Sequence, residues 1–182
     1  MTFVSMAELM AALPHVVAAP RTDVPVAMLC FRPGFGQRQF PQSLHLTRAF
    51  GIPGERWLVH PWLKLPDGSP DPQIQVSILP SRVLDLVWRD RDATLHPGDT
   101  MIADLDMSYD NLPPGSLLQA GSAVLRVSKE PNDGCVKWKT RYGQASMDWI
   151  TAPAHSAMRL RGILCSIEQD GVVKLTDRLV KL

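Results

Sequence analysis

The sequence predicts a mainly β fold, a barrel-like sheet accompanied by a few short helices. The chain of 182 residues contains 16 prolines and 12 glycines, more than a helical bundle tolerates, and they divide it into short segments. Within several of these segments apolar and polar side chains alternate, as they do in half-buried strands. Many short strands separated by turns favour a closed barrel, because closure leaves no unpaired sheet edge.

Three segments predict strands. Residues 73–79 and 123–128 place apolar side chains at every second position and polar side chains on the opposite face. Residues 162–175 predict two strands joined by an Asp-Gly turn at 170–171. Asp-Gly between alternating segments favours a type I′ hairpin, because glycine accepts the positive φ that this turn requires.

Helix signals are few. Ser5 and Glu8 have the spacing of a capping box ahead of a short apolar helix, which Pro14 would end. Residues 81–88 place four apolar side chains on one helical face directly after the best predicted strand. Residues 62–72, with an Asp-Gly-Ser sequence between prolines, predict an exposed loop.

Composition narrows the class of protein. Lys and Arg number 19 and Asp and Glu 18, a net charge of +1, so no nucleic-acid partner is expected. No apolar segment approaches the roughly 18 to 20 residues of a membrane helix. The first 14 residues contain an acid and no Lys or Arg, unlike a signal peptide. Three widely spaced cysteines indicate a reducing compartment, and we expect a cytoplasmic protein without a membrane partner.

Cys135 is the leading candidate for chemistry. It follows an Asn-Asp-Gly turn, and basic residues occupy alternate positions after it, at Lys137, Lys139 and Arg141. If the segment is extended, these cations lie on the same side as the thiol. Positive charge favours the thiolate, which attacks electrophiles, carries a persulfide or binds a soft metal. The alternative is a half-buried structural cysteine beside a solvated basic strand.

The remaining cysteines and several histidines carry weaker signals. Cys30 and Cys165 lie among apolar, strand-like residues, where cysteine usually serves as a small hydrophobic side chain. His60, His96 and His155 stand singly near prolines. We expect these three histidines to face solvent.

A glycine-rich turn at residues 51–57 forms a second candidate site. It presents an acid, Arg56 and Trp57 in succession. Arg56 could bind a phosphate or carboxylate through two parallel hydrogen bonds, with Trp57 as a wall. The alternative is a surface ion pair that caps the turn.

Taken in order, several segments resemble the MOSC domain, the module named for the C-terminal part of molybdenum cofactor sulfurases. The match covers residues 31–182, preceded by a unit of one helix and a lead-in strand over residues 1–30. The resemblance is carried by the glycine turn at 51–57, the Gln-Val-Ser strand and following helix from 75, the Leu-Pro block at 111–127, the position of Cys135, the Arg-Gly-Ile strand from 161 and the acidic turn at Asp177.

The resemblance implies a β-barrel with a cleft, and a cysteine that carries persulfide sulfur or binds the molybdenum of a pterin cofactor. Relatives that hold this cofactor reduce N-hydroxylated compounds. The pterin phosphate would then need cations, and the candidates are Arg56, Lys137, Lys139 and Arg141. Pyridoxal phosphate has little support, because the chain is too short for the aminotransferase-like domain of a sulfurase.

We therefore expect a small stand-alone MOSC protein that binds molybdenum cofactor through Cys135, or carries sulfur on it. Its partners would be a pterin or other small molecule and an external electron donor or sulfur donor protein. The resemblance leaves reductase and carrier open. A third hypothesis is a non-catalytic binding module, favoured by residues 97–103, which have no Asn where many members have Gly-Glu-Asn.

Overall fold

The computed structural model describes residues 3–182 and confirms the mainly β class. Within those residues nine strands and four α-helices are formed. The strands are β1 (Val24–Leu29), β2 (Ser43–Leu46), β3 (Val76–Pro80), β4 (Met101–Ala103), β5 (Leu117–Ala120), β6 (Ala123–Val127), β7 (Ile163–Gln169), β8 (Gly171–Lys174) and β9 (Arg178–Lys181). The helices are α1 (Met6–Val17), α2 (Ser81–Val87), α3 (Val136–Tyr142) and α4 (Gln144–Thr151).

Seven of these strands close a barrel in the order β1-β4-β3-β7-β6-β5-β9, and β9 returns to β1. Neighbouring strands are antiparallel except β3 and β4, which are parallel and are connected through α2. β2 and β8 form a separate two-stranded ribbon. β1, which belongs to the predicted unit 1–30, pairs with β4 and β9 inside the barrel, whereas residues 1–2 of that unit lie outside the described part.

The core has two layers. One fills the barrel, where Ile78 and Leu125 are fully buried. The other lies between the barrel wall and the helices and includes Leu9, Leu79 and Trp149. β3 is therefore buried on both faces. This differs from the half-buried strand that the sequence predicts, because the helices cover the face that would otherwise meet solvent.

Helix α1 begins as predicted and ends later. Ser5 and Glu8 form the reciprocal capping box, which satisfies two free N–H groups of the first turn. Pro14 does not end the helix, which continues to Val17. Proline removes one hydrogen bond, but the burial of Leu9 and Val16 against the core holds the last turn in place.

The predicted hairpin over residues 162–175 is not formed. β7 pairs with β3 and β6, whereas β8 leaves the barrel and pairs with β2. Gly171 does not adopt a left-handed φ. Its missing side chain matters for a different reason: a Cβ there would lie 2.4 Å from the backbone nitrogen of Ala123. Close approach of two backbones, rather than a tight turn, thus requires this glycine.

Residues 62–72 contain the expected exposed loop, closed by a bridge between Lys64 and Pro70 and by an Asp67 side chain that accepts from the backbone N–H of Ser69. A short 3₁₀-helix, Pro72–Ile74, replaces the start of the predicted strand. No helix among residues 3–182 is both long and apolar enough to cross a bilayer.

Candidate functional site

A cavity of about 840 Å³ lies where several loops meet helix α3. Its volume is within the range of small-molecule sites. Most of its lining residues lie within 32–38, 56–64, 97–99 and 130–142, and the others are residues 74, 77, 161 and 164. Seven cationic side chains line it, at Arg32, Arg38, Arg56, Lys64, Lys137, Arg141 and Arg161, against three acidic ones, at Asp99, Glu130 and Asp133.

Cys135 lies in the wall of this cavity and is exposed. The segment that follows it is not extended, as the sequence suggested, but forms helix α3, with Cys135 as its N-cap. The reason is the spacing of two aromatic residues. Trp138 and Tyr142 stand four residues apart, so on a helix both face the core, where their rings pack edge to face with centroids 4.8 Å apart.

The helix separates the three basic residues that were predicted to act together. Lys137 and Arg141 are one turn apart and both line the cavity. Lys139 is exposed and does not line the cavity, because on a helix it projects from a different side. The condition for placing Lys139 on the same side as Cys135, an extended segment, is therefore not met.

The other two cysteines are buried, as expected for small hydrophobic side chains. Cys165 lies inside the barrel, and Cys30 follows β1. Burial raises the pKa of both thiols to about 12. Of the three thiols, only that of Cys135 is accessible from the cavity.

Two of the cavity arginines are neutralised by buried acids. Arg32 forms two parallel hydrogen bonds to Glu55, at 2.7 and 2.8 Å, and only 1% of the Glu55 side chain is exposed. The ion pair at the glycine turn is thus buried rather than at the surface. Arg161 pairs with Asp99 at 2.8 Å. Burial alone would raise the pKa of Asp99, but the guanidinium of Arg161 holds it below its usual value.

Two further arginines converge without any acid. The guanidinium groups of Arg38 and Arg141 each donate to the backbone oxygen of Pro97, at 3.3 Å. Neither forms an ion pair with any residue in the range 3–182. Burial and the nearby charge of Arg141 lower the pKa of Arg38. Gly98 permits the arrangement, because it has φ +100° and a Cβ there would lie 2.6 Å from the Arg38 guanidinium.

A second pair of cations flanks the ring of Phe35. The Cζ atom of Arg56 lies 5.1 Å from the ring centroid and the Nζ atom of Lys137 lies 5.8 Å from it. Burial, and then the charge of Arg32, lower the pKa of Arg56. Trp57 is not the cavity wall that the sequence suggested. It is buried, and its Nε1 donates to the backbone oxygen of Asp71.

The three histidines that were predicted to face solvent differ in their exposure. His60 is exposed as expected and lies at the cavity. His96 and His155 are buried, so the prediction that they face solvent is wrong. His96 packs against the rings of Phe40 and Trp88, and its Nδ1 accepts from the backbone N–H of Gly98. Burial lowers the pKa of His96 to about 4.

Several charged lining residues were missed as site candidates by sequence reasoning, among them Arg32, Arg38, Asp99 and Arg161. Arg32 and Arg38 share one segment, and only Asp99 and Arg161 lie in segments that were compared with the MOSC pattern. No group of three or more His, Cys, Asp or Glu side chains within residues 3–182 could hold a metal ion.

Several solved structures share this fold. YuaD from Bacillus subtilis has a TM-score of 0.60 and 19% identity, over 87% of this chain and 94% of YuaD. YiiM from Escherichia coli has a TM-score of 0.55 and 16% identity, over 88% of this chain and 69% of that one. YiiM from Geobacillus stearothermophilus has a TM-score of 0.56 and 14% identity, over 87% and 75%.

At such low identity these likenesses concern the fold alone. They support the MOSC resemblance at that level. No protein-family model and no curated protein sequence matches the chain. Fold and cavity together thus define a closed β-barrel with a basic cavity and one accessible thiol.

Proposed function

We propose that this MOSC-type protein binds a phosphate-bearing pterin cofactor of molybdenum, with the thiolate of Cys135 as the protein ligand to the metal. One observation carries the proposal. The only cysteine that is exposed within residues 3–182 lies in the same cavity as five cations without an ion-pair partner: Arg38, Arg56, Lys64, Lys137 and Arg141.

The residues present fit such a group. A thiolate is the soft ligand that a molybdenum centre accepts, and two guanidinium groups that converge on one point suit a phosphate. Two buried hydrogen-bond donors at the cavity, the Nε of Arg38 and the Nε1 of Trp138, have no acceptor among the described residues. Unpaired buried donors are costly, so a ligand that accepts from them would gain affinity.

Each part of the wall then has a task. Arg38 and Arg141 would hold the phosphate, and Cys135 would hold the metal. Arg161, paired with Asp99 and stacked 4.7 Å from the Trp138 ring, fixes the wall between them. When bound, the cofactor would supply two-electron redox chemistry, and an external donor would supply the electrons. Lys139, outside the cavity, is not part of this site.

A second candidate function, sulfur carriage as a persulfide on Cys135, is favoured by one further observation. Cys30 and Cys165 are buried, so neither can reach Cys135 to form a disulfide that would discharge the added sulfur. A persulfide arises when the Cys135 thiolate takes the terminal sulfur of a donor persulfide, and the donor leaves as a thiolate. This balances without an outside oxidant.

Metal analysis and intact mass of the full chain, produced in a host that makes the cofactor, separate the two functions. About one molybdenum per chain, lost in Cys135→Ser and kept in Cys165→Ala, supports cofactor binding. A mass increase of one sulfur that is lost in Cys135→Ser, without molybdenum, supports the carrier. Neither molybdenum nor added sulfur would overturn both and leave a non-catalytic binding module.

A further inference from the structure

The mouth of the cavity differs from its floor. Four apolar side chains at the mouth, which we call the rim, are more than half exposed: Phe35 (63%), Val59 (72%), Trp62 (65%) and Val136 (73%). They come from two separate loops and from the first turn of helix α3. By contrast, Asp99, Trp138 and Tyr142 in the same wall are almost completely buried. An exposed apolar group next to a cavity of this kind is an expected binding feature.

Charge is present at the rim as well. The cationic groups of Arg56 and Lys137 both lie within 6 Å of the Phe35 ring centroid, and the ring of His60 lies 5.3 Å from it. Arg56 and Lys137 form no ion pair with the described residues. A molecule whose anionic group meets these cations would therefore bring its remaining atoms against the Phe35 ring.

The rim is separate from the phosphate position on the floor. Arg38 and Arg141 meet at the oxygen of Pro97, whereas Arg56 and Lys137 meet at Phe35. The cavity thus has two pairs of cations, and only the outer pair is combined with exposed apolar surface. Val136 also follows Cys135 directly in the chain, so the rim adjoins the accessible thiol.

We propose that the rim is a second subsite, which binds an aromatic anion, a flat ring that carries a carboxylate or phosphate. The anion would contact Arg56 and Lys137, and the ring would pack on Phe35 and Trp62. The charged contact and the ring contact are both needed for binding, because exposed ion pairs and single aromatic contacts are each weak. The inference rests on the proposed function in one respect only: the bound molecule is a substrate because it would lie beside the metal that Cys135 would hold, or the sulfur that it would carry.

Isothermal titration of the full chain with 1-naphthoate tests this subsite. We expect 1-naphthoate to bind more tightly than acetate or uncharged 1-naphthalenemethanol, by about tenfold or more. Phe35→Leu should raise its Kd about threefold to tenfold, and Lys137→Gln about twofold to fivefold. Matched controls are Phe50→Leu and Lys139→Gln, at exposed residues that do not line the cavity. Both controls should leave the Kd unchanged.

Equal losses in the controls, or 1-naphthoate that binds no more tightly than acetate, would overturn the inference. Cys135→Ser separates it from the proposed function. The variant should keep its affinity for 1-naphthoate even where it loses molybdenum. If 1-naphthoate binds in the expected pattern but the wild-type chain holds no molybdenum or sulfur, the proposed function fails and the aromatic anion subsite stands. If the wild-type chain holds molybdenum or sulfur but 1-naphthoate does not bind in the expected pattern, the subsite is overturned and the proposed function stands.

Discussion

The cavity contains two kinds of arginine, and their difference indicates what each kind does. Arg32 and Arg161 face buried carboxylates, at 2.7 and 2.8 Å. Arg38 and Arg141 donate only to backbone oxygens, that of Pro97 which they share and, for Arg38, that of Gln37. A buried cation that has a carboxylate is satisfied by the fold, whereas two adjacent cations without one repel each other. The first kind serves the structure, and the second is available to an anionic ligand.

The acidic residues at the cavity also fall into a group with ion pairs and a group without. Glu55 and Asp99 are buried and hold the paired arginines. The two other acids of the wall, Glu130 and Asp133, form no ion pair within residues 3–182. We call Arg32, Glu55, Asp99 and Arg161 the paired set, and the cavity residues without an ion pair the unpaired set. Substitutions in the paired set should lower the free energy of unfolding, and substitutions in the unpaired set should change ligand affinity.

The largest expected effect is on the paired set. Glu55→Ala would leave Arg32 charged, buried and without a partner, and should lower the free energy of unfolding by about 3–5 kcal/mol. The matched control is Glu168→Ala, which removes the acid of an exposed pair with Arg126 and should cost about 1 kcal/mol or less. Urea unfolding measures both. Equal losses would mean that the Arg32–Glu55 pair is not structural.

A smaller effect concerns His96, which packs beside the cavity floor. Its pKa is 6.5 in an ordinary environment and about 4 in the fold. Between pH 6.5 and pH 4, His96 is therefore mostly protonated in the unfolded chain and mostly neutral in the folded chain. Stability from this group is complete above pH 6.5 and is lost as the pH falls to 4, by at most about 3 kcal/mol.

Urea unfolding at several pH values tests this expectation. His96→Gln should flatten the fall in stability between pH 6.5 and 4, whereas His45→Gln, at an exposed histidine, should leave it as in the wild type. A pH dependence that is the same in His96→Gln and in the wild type would show that another group is responsible.

Local signals in the sequence predicted the local structure well. The capping box of α1 and the apolar face of α2 follow from residues three or four apart, and both are confirmed. The prediction of a hairpin over residues 162–175 was wrong, because strand pairing is decided by contacts between segments that are distant in sequence. β8 finds its partner in β2, more than 120 residues earlier, and no turn sequence reveals that.

The candidate site was predicted in part for the same reason. Cys135 is a candidate from its own segment, but the cations that follow it lie beside it only if that segment is extended, and it is a helix. The spacing of Trp138 and Tyr142 was the better signal, because it is the period of a helix buried on one face. Arg38 meets Arg141 only through the fold, more than 100 residues apart in sequence. No local pattern could place them together.

The most direct test of the account compares one substitution at two positions of helix α3. Arg141→Glu and Lys139→Glu change the charge equally, but only Arg141 lines the cavity. The affinity of each variant for a pterin that carries a phosphate monoester is measured by titration. The account predicts a loss of about tenfold or more for Arg141→Glu and a change within about twofold for Lys139→Glu. Equal losses in both variants would show that general charge, and not the unpaired cations of the cavity, attracts the ligand.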